Sequence, residues 1–194
     1  MRKVALVAVV VLAVLVVVGM LAGDRDGGDG DEAAEVVALG VTPEEAGCGP
    51  VEHERPVPPG PPHRNGTLEW PEVPPNSGVH HAQTLRTLTR FYEREDDPPP
   101  ERVVHNLEHG IVVVWYDDRL PDEELAVLRQ VADAMPINRF VVVPWNRSTF
   151  DGDRHVVLTA WGHTQRCERV SGRVIHEFTR EYADKDAPED GAPV

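Results

Sequence analysis

The chain has 194 residues, and the first 22 are almost wholly apolar. The remainder has room for one domain with a modest core. Acidic residues outnumber basic ones 33 to 19, a net charge of −14, so the basic footprint of a nucleic-acid binder is missing. Two cysteines are too few for a disulfide-dense miniprotein or a thiolate zinc finger.

Val4 to Ala22 form an uncharged run of 19 residues. At about 1.5 Å per residue in a helix, that length nearly matches the roughly 30 Å hydrocarbon layer. Arg2 and Lys3 precede the run, and Asp24, Asp26, Asp29 and Asp31 follow it. The positive-inside rule then keeps the N-terminus cytoplasmic and places the rest outside. The run is longer than a signal-peptide core, and Met20-Leu21-Ala22 is a poor cleavage site. The expectation is a signal anchor over residues 1–22 in the cell membrane, although a cleaved signal peptide would export the domain equally.

Residues 23–47 hold eight acidic side chains and one basic one, and read as an extended, self-repelling tether. The tail at 183–194 is also acidic and small-residue-rich, and reads as disordered. Between them lies the expected exported domain, 48–182. Its first half carries most of the prolines, 13 of 18 between Pro43 and Pro100. Proline fixes φ and removes a donor, so this half reads as an extended arm. Leu85, Leu88, Phe91 and Tyr92 have helical spacing, which predicts a short amphipathic helix over 82–93.

Regular elements follow. Ile111–Tyr116, Phe140–Val143 and Val156–Trp161 read as buried strands from their β-branched content. Pro121, followed by Asp122, Glu123 and Glu124, opens a helix whose buried stripe is Leu125, Leu128, Val131, Ala132 and Met135. A closing helix starts near Gly172, with Val174, Ile175, Phe178 and Tyr182 on one face. The fold class is α+β, a small sheet in β-α-β-β-α order. Strands apolar on both faces need cover on both. The two helices cover one side, and the proline-rich arm is expected to wrap part of the other.

Cys48 and Cys167 flank this domain. Outside the membrane, two lone cysteines most simply pair. The alternative, thiol–disulfide chemistry, usually needs a close Cys-x-x-Cys pair, which is absent.

Nine histidines are the notable chemistry. In His105-Asn106-Leu107-Glu108-His109-Gly110, a helix would put His105 and His109 on one side, able to grip one divalent metal, with Glu108 near the same face. The string fits H-x-x-E-H, in which the Glu is a general base of a zinc peptidase. Only about two helical turns fit between Pro100 and the strand, and no third-ligand motif lies downstream, so a peptidase is disfavoured. His80, at the end of a turn-rich stretch, joins His105 and His109 if the arm folds back. Three imidazoles suit Zn²⁺ or Cu²⁺. Asn106 and Glu108 can equally cap or orient a neighbour. The alternative is that these histidines only hydrogen-bond backbone. His53, His81, His155, His163 and His176 read as surface or incidental.

Pro-Pro-Asn-Ser-Gly-Val-His (74–80), His-Asn-Leu-Glu-His-Gly (105–110), Leu-Thr-Ala-Trp-Gly (158–162) and the closing Phe-x-x-x-Tyr helix resemble the bacterial domain of unknown function 3105 family. The resemblance spans about 47–182. It implies an exported, often membrane-anchored domain, with cysteines matching Cys48 and Cys167 and a recurrent histidine near His63. It implies no activity. The family's Ser-Gly-Pro-His-Trp is here Ser-Gly-Val-His-His, so His80 keeps its position and His81 replaces an aromatic residue.

The leading expectation is a non-catalytic divalent-metal site, Zn²⁺ or Cu²⁺, built from His63, His80, His105, His109 and Glu108, on a domain anchored through residues 4–22. The alternatives are a metal-free cell-envelope interaction module, its partner unspecified, and an H-x-x-E-H zinc hydrolase with Glu108 as base.

Overall fold

Residues 28–86 and 89–193 are described by the computed structural model. The transmembrane anchor expected over 4–22 lies outside them. Among the described residues no helix is long and apolar enough to cross a membrane.

Four helices and five strands are present among these residues: α1 (Gly28–Ala38), β1 (Glu52–His53), α2 (Pro100–Glu108), β2 (Val112–Tyr116), α3 (Asp122–Ala134), β3 (Phe140–Pro144), β4 (Val156–Ala160), β5 (His163–Cys167) and α4 (Gly172–Tyr182). They build one mixed sheet in the order β1-β5-β4-β2-β3. The β2–β3 pair is parallel, as its α3 crossover requires. The pairs β2–β4, β4–β5 and β1–β5 are antiparallel.

The side-chain period of two divides the strands into two cores. Val112, Val114 and Tyr116, with Val142, Val156 and Leu158, pack against Leu128 and Val131 of α3 and Val174, Ile175 and Phe178 of α4. Val113, Trp115, Val141, Val143 and Val157 face the other way, where Val103, Val104 and Leu107 of α2 meet them. Leu85, Val57 and Trp70 of the arm complete that second layer. The arm therefore does cover the second face, but α2 is the main lid. Ser171 caps α4, accepting from Val174 N at 3.4 Å. Pro121 precedes α3, whose first turn carries Asp122, Glu123 and Glu124 at its positive end.

Four expectations change. The segment 82–93 is not helical where described; it runs extended, and Phe91 bridges to Val142 beside β3. Tyr92 N donates to Val142 O and Val142 N to Arg90 O, so sheet hydrogen bonding outcompetes the weak helical spacing. The acidic segment 23–47 is not extended throughout, because α1 forms and Val36 and Ala46 are fully buried. Two tight-turn residues after Ala160 open an additional strand, β5, which antiparallel pairing with β4 and β1 holds in place. Finally, the tail after Tyr182 folds back: Asp184 N donates to Gly110 O and Glu189 N to Glu108 O. Gly110, at φ +86°, leaves no room there for a side chain, since a Cβ would sit 2.3 Å from Asp184 Oδ1.

Cys48 and Cys167 are bonded, across 119 positions of sequence. Closing so long a loop removes chain entropy from the unfolded state worth about 4–5 kcal/mol. Reduction, or Cys48→Ser with Cys167→Ser, is expected to lower the free energy of unfolding by about 4 kcal/mol. Urea unfolding with and without reductant measures it.

Candidate metal centre

Helix α2 begins at a proline and presses Val103, Val104 and Leu107 onto the sheet. That orientation leaves His105 and Glu108, three residues apart, on the flank that meets the arm. Polar groups hold the arm there. The Asn106 side chain is fully buried and grips one residue of backbone twice, accepting from Leu85 N at 2.8 Å and donating to Leu85 O at 2.9 Å. Glu101 accepts from Leu68 N at 3.0 Å and pairs with Arg147 at 2.9 Å. His81 N donates to Glu101 O, which seats His80 over α2. Arg64 N donates to His80 O, which draws His63 alongside.

The four side chains His63, His80, His105 and Glu108 converge: one donor atom from each lies within 4.8 Å of all the others. The common focus is Glu108 Oε2, at 2.8 Å from His80 Nε2, 3.7 Å from His63 Nε2 and 3.8 Å from His105 Nε2. Three of the four residues are buried and His63 is exposed. His80 Nδ1 lies 2.8 Å from Gly78 O and donates its proton to that carbonyl. The other nitrogen, Nε2, therefore turns toward the carboxylate. His80 Nε2, Glu108 Oε2 and His105 Nδ1 are all buried without a hydrogen-bond partner. A neutral imidazole so placed sets one lone pair against another, an arrangement that burial makes costly without a proton or cation between them. His105 is held neutral, its pKa lowered to about 4 first by burial and then by the neighbouring imidazoles of His80, His109 and His63.

His109 is placed differently. Its ring lies 4.6 Å from that of His105, centroid to centroid, but edge-on. Its Nδ1 donates to Pro193 O at 3.0 Å, and Nε2 faces Glu189 at 3.3 Å. It joins a second group, with Glu108 and Glu189, rather than the three other histidines. α2 ends in a turn where Gly110 N returns to Leu107 O and Ile111 N to Asn106 O, a Schellman closure. His109 is the C-cap residue of that closure and its N–H still reaches His105 O, so the two rings stay neighbours; it is the tail, through Pro193 O and Glu189, that takes up both nitrogens of His109. The paired-histidine grip of an H-x-x-E-H peptidase, with Glu108 left free as base, is not what this geometry forms.

Of the remaining histidines, His81 caps its own turn by accepting from Gln83 N at 3.0 Å. His155 faces Asp117 at 3.4 Å, and His176 is buried on α4. His163 is not a surface residue: it is fully buried, bonded to His53 at 2.8 Å through the two Nδ1 atoms and to Asp186 at 3.0 Å through Nε2. Sequence reasoning missed this relay because its carboxylate, like that of Glu189, sits in the acidic tail.

The chain belongs to a family of proteins of unknown function, DUF3105, whose model matches residues 63–194. The match opens on His63 and runs through the tail. No curated protein and no solved structure matches the chain significantly.

Burial lowers the pKa of His163, although Asp186 pulls it upward. The bonds to His163 and Arg55 hold the Asp186 carboxyl low against its own desolvation. Below about pH 6.5 the unfolded chain takes up a histidine proton that the folded chain resists, so stability is full above that pH and falls below it. The melting temperature is expected to drop between about pH 6.5 and 5, and His163→Gln to make that drop shallower. Thermal melts across that pH range check both.

Proposed function

We propose that this domain binds a divalent transition metal, Zn²⁺ or Cu²⁺, through His63, His80, His105 and Glu108, without catalysis. The observation that carries this reading is the buried contact of His80 Nε2 with Glu108 Oε2, 2.8 Å apart and with no hydrogen bond to either atom, at the centre of four converging donors. Three imidazoles and a carboxylate match the preferences of both ions. Four protein donors would fill a tetrahedral shell, the pattern of structural or storage sites rather than catalytic ones, which keep a position open for water. Glu108 as a donor is also unavailable as a general base. The His80 Nδ1–H to Gly78 O bond is the kind of outer support that fixes a ligating ring.

The same reading places the domain outside the cell membrane, tethered through residues 4–22, where it serves envelope metal handling or is itself stabilised by the ion. The apolar run and its flanking charges support that location, and a disulfide between Cys48 and Cys167 fits an oxidising compartment.

Full-length protein without a histidine tag is expected to carry, or to take up after chelator treatment, at least one equivalent of Zn²⁺ or Cu²⁺. Its melting temperature then rises as the ion saturates the folded state. His80→Ala and Glu108→Ala are each expected to weaken binding by on the order of a hundredfold. Elemental analysis and calorimetric titration measure this. No bound or titratable metal would leave the metal-free interaction module as the reading.

A further inference from the structure

Glu108 belongs to two donor groups. Beyond the three histidines on one side, its carboxylate lies within 4.8 Å of both His109 and Glu189 on the other, each offering one donor atom. Glu189 does not reach this position by chance of side-chain rotation. Its backbone N donates to Glu108 O at 3.0 Å, so the tail is tied to the same residue whose carboxylate it faces. His109 is tied from the far side, through Nδ1 and Pro193 O. Its Nε2 is buried and has no hydrogen-bond partner, although Glu189 Oε2 lies 3.3 Å away. The His109 side chain is only 10% exposed, whereas that of Glu189 is 55% exposed. The second group is therefore roofed by the tail yet open at one edge. A surface cleft of about 790 Å³, lined by Thr84, Arg102, His105 and His109, runs up to it.

We infer that the chain holds a second divalent cation, coordinated by His109 and Glu189 and bridged to the first by the Glu108 carboxylate. This rests on the proposed site above, because the bridge exists only if Glu108 ligates there. A carboxylate carries two oxygens and can join two ions, as in two-metal centres with ions about 3.5–4 Å apart. The two positions differ in character. The first has four protein donors and is closed; the second has three and leaves room for solvent, so its ion exchanges faster.

The test counts Zn²⁺ bound per full-length chain by native mass spectrometry after chelator treatment, for the natural sequence, Glu189→Gln and His109→Gln. Two equivalents are expected, falling to one in each variant, with the affinity of the remaining ion changed less than about tenfold. A Cu²⁺-loaded sample is expected to show less electron-paramagnetic signal than its copper content, through spin coupling across the bridge, and Glu189→Gln to restore the full signal. Glu189 is half-exposed, so that variant is expected to keep the natural circular dichroism. One equivalent in the natural chain would overturn this inference and leave the first site standing. None would overturn both. Two equivalents that persist in both variants would place the second ion elsewhere and also overturn it.

Discussion

The arm and helix α2 meet through Asn106. One fully buried amide satisfies both the N–H and the C=O of Leu85, replacing a stretch of sheet hydrogen bonding with a single side chain. A proline-rich segment cannot join a ladder along its length, because proline offers no N–H. It must be held at discrete points, and Asn106, Glu101 and the Trp70 indole, which donates to Val79 O, supply them. Without those points His63 and His80 would have no fixed relation to His105. The chemistry proposed for this domain depends on that clamp more than on the sheet.

The sheet itself is conventional. Apolar side chains alternate between two faces, helices cover both, and the disulfide ties Cys48 to the end of β5. The polar cluster sits against this frame at a cost. Burying an unpartnered imidazole nitrogen and a carboxylate oxygen opposes folding by roughly 1–3 kcal/mol per group. The apolar layer around Leu107, Trp115 and Trp161 offsets that cost, and a bound cation would remove it.

Legibility in the sequence followed burial by apolar side chains. The strands Val112–Tyr116, Phe140–Pro144 and Val156–Ala160, and helices α3 and α4, announced themselves through β-branched runs and helical stripes. Strand β5, with the sequence His-Thr-Gln-Arg-Cys, did not. Its buried positions are polar and are paid for by partners distant in sequence: Asn76 with Thr164, Asp186 with His163, and Gln165 with Gly49 O. No local pattern reveals such pairings. Of the converging set, His80, His105 and Glu108 were legible from residue type and from the H-N-L-E-H-G string, and His63 only from the family resemblance. The departure of His109 was not, because the partners of its two nitrogens, Pro193 O and Glu189, lie in the tail. Nor was the tail legible, since its acidic composition resembles that of a disordered segment.

The fold is closed by its latest residues. During synthesis the arm is made before α2, the residues that hold Cys48 await Cys167, and the last dozen positions bring Asp186 to His163 and Glu189 to Glu108. Contacts so distant along the chain are slow to form. A nascent chain stalled after α4 would possess every strand of the sheet, yet the outer flank of His109 would still face water.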